Sequence, residues 1–158
     1  MTTARSNAQA GQMAAGKYLT FSLGSEEYGI AVLNVREIIG IMPVTSVPGT
    51  PDYMLGVINL RGKIIPIIDL RARFGMQLQA ASRQSCIIVV RAKDVDFGIL
   101  VDSVAEVRNL EQSQTDDMLD LGVGIANEYF EGISKADGKV RMLLNIGRIV
   151  SRDDLVIR

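Results

Sequence analysis

Tyr28-Gly29-Ile30-Ala31-Val32-Leu33-Asn34-Val35-Arg36-Glu37-Ile38 returns later in the chain as Phe97-Gly98-Ile99-Leu100-Val101-Asp102-Ser103-Val104-Ala105-Glu106-Val107. The aromatic, the glycine, the isoleucine, both valines and the glutamate recur in one register without an insertion. A second correspondence follows each copy: Gly56, Gly62-Lys63, Ile64, Asp69 and Leu70 match Gly132, Gly138-Lys139, Val140, Asn145 and Ile146. The chain therefore reads as one structural unit used twice, and fixed-period self-similarity of this kind decides the architecture before any single element does.

The unit is made of strands. Tyr18-Leu19-Thr20-Phe21-Ser22-Leu23 alternates apolar and polar, Gly24-Ser25 turns, and Glu27-Tyr28-Gly29-Ile30-Ala31-Val32 returns, which is the pattern of a hairpin. Further strand runs are Val35 to Ile39, Met54 to Leu60, Ile64 to Ile68, Ser85 to Arg91, Val95 to Val101, Ala105 to Leu110, Tyr129 to Ile133 and Val140 to Asn145. Gly62-Lys63 and Gly138-Lys139 sit between runs and read as hairpin turns. Helical signal is confined to Leu70–Phe74, with Asp69 as its cap and Gly75 as its stop, and to a turn or two over Ile146–Ser151. Val44–Pro51, Met76–Gln84 and the acidic stretch Glu111–Asp120 read as loops.

About five short strands per copy are too few for a sandwich and enough for a small barrel. The expected fold is all-β: two five-stranded barrels packed on a shared core, with one or two short helices and a groove along their seam. A barrel of about 60 residues buries too little apolar surface to stand alone, which is why the core is shared. Residues 1–16 are small and polar and read as a flexible tail. Residues 17–158 form a single domain, with subdomain boundaries expected at about 17–82 and 83–150.

Composition narrows the function. Among 158 residues, 47% are hydrophobic and 22% charged, enough for a packed core. Lys and Arg total 17 against 18 Asp and Glu, and the net charge of -1 provides no positive field to gather nucleic-acid phosphates. With 0 His, the chain lacks the usual general base, the usual metal ligand and any Ser-His or Cys-His nucleophilic pair. The one cysteine, Cys86, opens the aliphatic run Cys86-Ile87-Ile88-Val89-Val90, where apolar surroundings raise a thiol pKa. Adjacent carboxylates at Glu26-Glu27, Asp116-Asp117 and Asp153-Asp154 read as solvated charges, because neighbours on a strand face opposite sides. Gly122-Val123-Gly124 lacks a third glycine and a strand-to-helix setting, so it reads as loop. Met42, Met54, Met118 and Met142 lie among apolar residues and read as core filling. No cofactor, no catalytic residue and no metal site is expected. The first residues lack the apolar stretch of a signal peptide, and no run approaches the ~20 apolar residues of a membrane span, so direct insertion into a membrane is not expected.

Two charges set in apolar company remain. Glu37 lies in Val35-Arg36-Glu37-Ile38-Ile39, and Arg61 ends Gly56-Val57-Ile58-Asn59-Leu60-Arg61-Gly62. Glu37 recurs as Glu106, whereas Arg61 aligns with Asp137, so the arginine is a specialisation of the first copy. An ion pair between Glu37 and Arg61 is expected.

These residues resemble the CheW family. Glu27-Tyr28-Gly29-Ile30, Val35-Arg36-Glu37-Ile38 and the long run Gly56 to Arg71, with Asn59-Leu60-Arg61-Gly62 and Asp69-Leu70-Arg71 inside it, look like that family's signature. Phe97-Gly98-Ile99-Leu100-Val101-Asp102 and Val140-Arg141-Met142-Leu143-Leu144-Asn145-Ile146 resemble it as well, and the likeness runs from about Lys17 to the C-terminus. The resemblance implies two SH3-like five-stranded barrels and a non-catalytic adaptor of chemotaxis. It implies two partners: the cytoplasmic tip of chemoreceptors (methyl-accepting chemotaxis proteins), which is a helical hairpin, and the regulatory domain of the CheA histidine kinase, itself CheW-like. It further implies a cytoplasmic protein held in receptor arrays at the inner face of the membrane. Val35, Glu37, Gly56, Arg61 and Val107 fall on positions that resemble the family's partner contacts. Val35 would offer apolar area to a receptor helix, Gly56 would admit close backbone approach, Glu37 and Arg61 would set orientation by charge, and Val107 would serve either partner. The same domain occurs within CheA kinases and CheV proteins, but no ATPase or receiver sequence flanks it here.

Other readings meet obstacles. A coupler of a non-flagellar system such as twitching motility fits the same residues. A small-barrel nucleic-acid binder needs exposed aromatics and a basic groove, against 5% aromatics and a negative net charge. A glycosidase needs two carboxylates from separate strands facing one pocket.

Overall fold

Turn chemistry and alternation act locally as the sequence predicts. A computed structural model of the chain describes residues 16–117 and 128–155. The strands are β1 (Gly16–Leu23), β2 (Glu26–Ala31), β3 (Val35–Gly40), β4 (Met54–Leu60), β5 (Lys63–Asp69), β6 (Cys86–Ala92), β7 (Val95–Val101), β8 (Ser103–Leu110), β9 (Thr115–Asp117), β10 (Phe130–Ser134) and β11 (Arg141–Leu144). The α-helices are single turns: α1 (Leu70–Arg73), α2 (Ile146–Ile149) and α3 (Arg152–Leu155). The Asp69 carboxylate caps α1 by accepting from the backbone N–H of Arg71 at 2.9 Å, and Gly75, at φ 73, ends the segment.

Three local expectations change. Gly16 belongs to β1, and residues 1–15 of the expected tail lie outside the described residues, as do Met118 and Gly122-Val123-Gly124. Within the acidic stretch, Thr115–Asp117 forms a strand that pairs with β10. α3 follows Ser151, whose hydroxyl accepts from the Asp154 N–H at 3.2 Å.

The larger difference concerns which strands pair. One sheet has the order β8-β1-β2-β11-β10-β9 and the other β3-β6-β7-β5-β4. The β1–β2 hairpin of the first copy thus lies among strands of the second, and the β6–β7 hairpin of the second among strands of the first. The boundary expected between residues 82 and 83 separates the sequence copies but not the sheets, each of which takes strands from both sides of it. The physical reason is that an alternating hairpin buries the same face whichever copy supplies its neighbours.

Each sheet closes on itself through a bent strand. β8 pairs with β1 and, beyond a 3-10 turn at Gln112–Gln114, the same stretch of chain pairs with β10 as β9, so β8 and β9 act as one bent strand and that sheet is a barrel of five. In the other sheet the chain leaving β3 returns at Thr45, which exchanges backbone bonds of 2.9 and 2.8 Å with Val57 of β4. Tyr18, Leu110, Ala136 and Leu143 fill one barrel; Ile58, Ile65, Ile67, Ile87 and Val89 fill the other. A larger cluster drawn from both, including Phe21, Ile30, Ile68, Leu70, Ile88, Phe97, Ile99, Phe130, Leu144 and Ile149, joins them.

The copies meet in two parallel pairings at equivalent places. Gly29 of β2 lies beside Leu143 of β11, and Gly98 of β7 beside Ile67 of β5. Both glycines make room for this crossing: a Cβ on Gly29 would stand 2.9 Å from Leu143 Cδ2, and one on Gly98 2.6 Å from Ile87 Cγ2 and 2.7 Å from Ile67 Cδ1. Ion pairs repeat the pattern. Lys63 of the first copy meets Asp96 of the second at 2.6 Å, and Lys139 of the second meets Glu27 of the first at 2.9 Å, with Arg141 Nε a further 2.7 Å partner of Glu27. At the centre, the Arg73 guanidinium lies over the rings of Tyr53 (4.3 Å) and Tyr129 (5.1 Å), and its Nε donates to the Ile149 carbonyl at 2.5 Å. Tyr53 and Tyr129 are themselves equivalent: their carbonyls accept from Asp69 and Asn145 at 2.8 and 2.9 Å.

Adding one methyl group at the crossing should separate the two glycines. Gly98→Ala meets β-branched Ile87 close to its backbone and should cost about 1–3 kcal/mol. Gly29→Ala meets the swinging end of a leucine and should cost less, and Gly40→Ala, with nothing within 4 Å, should be near neutral; urea unfolding of the three variants checks the order. Hydrogen bonds first from Lys139 and then from Arg141 hold the Glu27 carboxyl below its usual 4.5. A folded pKa below the unfolded one contributes stability that is present above the unfolded value and lost as pH falls through the folded value. Stability curves taken below about pH 4.5 should therefore be less steep for Glu27→Gln than for the native chain.

Candidate partner-binding site

Asn59-Leu60-Arg61-Gly62 makes the turn from β4 to β5. The Asn59 side-chain oxygen accepts from the Gly62 N–H at 2.8 Å, and Arg61 and Gly62 both take left-handed conformations, at φ 54 and 87. Left-handed geometry suits Gly62 and is costly for arginine, by roughly 1–2 kcal/mol. From this turn Arg61 Nη2 donates to Glu37 Oε1 on β3, forming the expected ion pair. β3 and β4 are the two edges of their sheet, so the pair spans the seam that Thr45 and Val57 close by backbone. The arginine side chain is 69% exposed and the glutamate 34%, which places the pair on the surface, where such contacts add little stability. A strained backbone supporting a weak contact is a feature that stability does not explain.

The other barrel carries the same device with its signs reversed. Asp137, at φ 59 in the turn before β11, is paired with Arg108 of β8. Aspartate tolerates the left-handed region, so of these two turns the one at Arg61 is the strained one; Lys93, in the β6–β7 turn, shares its φ of 54.

The remaining expected contact residues separate. Val35 begins β3 half-buried and packs on the shared core, so part of its apolar area is already used within the chain. Gly56 is buried at a bulge of β4, and a Cβ there would stand 2.1 Å from the Thr45 carbonyl oxygen. Its missing side chain admits the backbone of Thr45 from this same chain, a close backbone approach of the kind expected at this glycine. Val107 lies on β8 in the other sheet and is 55% exposed. The structure thus joins Glu37 to Arg61, places Gly56 farther along β4 against Thr45, and sets Val107 on the opposite barrel.

Several surface residues escaped the sequence reading. Ile38 is 46% exposed and is the counterpart of Val107; Ile64 (54%) is the counterpart of Val140 (56%). Leu33, in the 3-10 turn before β3, is 96% exposed. Single exposed apolar residues are ordinary; here two pairs of them stand outward at equivalent positions of both copies. The duplication was the available signal, since it aligned these positions; which face looked outward was the missing part.

Little here is suited to bond-making chemistry. Burial raises the Cys86 thiol pKa. Tyr53 donates its phenol proton to Asp154, and its pKa is pushed up to about 12, by burial first and by that carboxylate second. Burial likewise raises the Glu131 carboxyl, which accepts from the Tyr18 phenol at 2.6 Å. Among the described residues no three of His, Cys, Asp and Glu gather to hold a metal ion, and no helix is long and apolar enough to cross a membrane. A groove of about 560 Å³ along the seam is walled by Tyr28, Phe74, Tyr129 and Phe130.

Residues 17–154 match the family model described as a CheW-like domain. The chain is 36% identical to the chemotaxis protein CheW of Klebsiella aerogenes, over 94% of this chain and 89% of that protein. It is 33% identical to the chemotaxis protein CheW of Helicobacter pylori, over 87% and 82%. The fold superimposes on the crystal structure of scaffolding protein TtCheW from Thermoanaerobacter tengcongensis with a TM-score of 0.81 and 34% identity, covering 89% of this chain and 95% of that one.

If the Glu37–Arg61 pair adds little to stability, Arg61→Ala should shift unfolding by no more than about 1 kcal/mol. Arg61→Gly, which also relieves the left-handed strain, should be at least as stable as Arg61→Ala; a urea titration ranks them.

Proposed function

The chain belongs to the CheW-like domain family, and from that premise we propose that it is a non-catalytic adaptor coupling chemoreceptors to the CheA histidine kinase. The observation that carries this reading is the pairing of outward apolar residues, Ile38 with Val107 and Ile64 with Val140, on two barrels whose charged turns have opposite sign. Such a body offers one face per barrel to other macromolecules and has few of the groups needed to transform a small molecule. A regulatory domain of the kinase that is itself a double barrel suits a barrel end, and the helical hairpin at a receptor tip suits the exposed Leu33 and the free part of Val35. Glu37 and Arg61 fix the β4–β5 turn against β3, so the face there is held in one shape before a partner arrives, which lowers the ordering cost of association. The protein would sit at the inner face of the membrane through its receptor partner.

A kinase assay with CheA and receptor-bearing membranes tests this. The native chain should stimulate kinase activity only when receptors are present. Arg61→Ala, folded and of near-native stability, should stimulate several-fold less. No receptor-dependent stimulation by the native chain would overturn the assignment.

A further inference from the structure

The two copies are tied covalently by one connection, residues 76–85, and residues 77–84 are exposed throughout. Few bonds hold this segment down: the Gln77 carbonyl accepts from Arg71 Nη1 at 3.2 Å, and Ser82 and Ser85 close a small turn, with the Ser82 N–H donating to Ser85 Oγ at 2.8 Å. Everything else that joins the copies is non-covalent and reciprocal. The β1–β2 hairpin needs β8 and β11, the β6–β7 hairpin needs β3 and β5, and the Lys63–Asp96 and Lys139–Glu27 pairs each take one residue from either copy.

We propose that this seam is also a recognition surface between molecules, and that its partner is a second copy of this chain. The first copy of one molecule pairs with the second copy of another, and the reverse, giving a dimer of two complete double barrels. Neither sheet changes in such an exchange, since every strand keeps the same neighbours and Gly29 and Gly98 still face Leu143 and Ile67. Only the path of residues 77–84 differs. The balance between the forms is then one of linkage: a short flexible connection holds its two ends at an effective concentration of order millimolar. The closed monomer prevails well below that concentration and the exchanged dimer near it, and domain exchange through a surface connection is an inexpensive route to dimers. The dimer is bivalent, carrying each barrel face twice.

The test refolds the full chain from urea at about 1 µM and about 1 mM, a range that runs from well below the effective concentration up to it, followed by dilution and light scattering. Monomer is expected from the dilute sample. Dimer of twice the mass is expected from the concentrated one, and it should persist on dilution because reversal requires both sheets to open. A protease site placed within residues 77–84 identifies the contact. Cutting the exchanged dimer there should yield particles of monomer mass, each holding two fragments, and with two mass-tagged populations refolded together the fragments should come from different parents. Absence of dimer at both concentrations would overturn the proposal. So would a dimer that keeps twice the mass after cutting, which marks a surface contact, and so would fragments that part from each other without denaturant.

Discussion

The parallel pairing of the two copies, Gly29 against Leu143 and Gly98 against Ile67, is the constraint on which the rest of the structure depends. Parallel strands cannot be joined by a tight turn, so they form only when distant stretches of chain are brought together. Here each copy contributes a hairpin to the other's barrel and receives one in return. The shared core, the crossed ion pairs and the closure of both sheets all follow from that exchange. Neither copy holds a finished sheet until the other is in place.

On this frame the Arg61 turn stands out because it works against local preference. Asn59 and Gly62 build a turn that glycine, asparagine or aspartate would complete at lower cost, and its counterpart in the other barrel uses an aspartate. The arginine reaches the far edge of its own sheet, where Thr45 and Val57 already provide closure. Its contribution is to shape and charge at one surface. Fold stability accounts for neither the strained turn nor the exposed pair.

Much of this was legible in the sequence because it is local. Met54–Leu60 and Val95–Val101 have the bounds that their turn residues predict, Asp69 caps the helix it precedes, and Glu37 and Arg61 announced themselves as opposite charges in apolar runs. The duplication carried the architecture, as the two barrels and their common core bear out. The hairpin exchange was hidden, because residue pattern decides which face a strand buries and is silent on which strand lies beside it. β9 was hidden because its pairing uses backbone groups that every residue has. The use of Gly56 by Thr45, and the outward aspect of Ile38 and Ile64, depend on where the chain returns after β3, a fact of tertiary structure alone.

Arg73 has one more implication. Residues 73 and 149 correspond in the two copies, and here the Arg73 guanidinium donates to the Ile149 carbonyl between two equivalent tyrosines. Counterparts touch in this way only where a twofold axis passes. Two guanidinium groups on one axis would repel and overlap, so a duplicated chain with arginine there is forced to diverge at that spot. Divergence on the axis gives the molecule a polarity that a true homodimer lacks, so that its two ends differ.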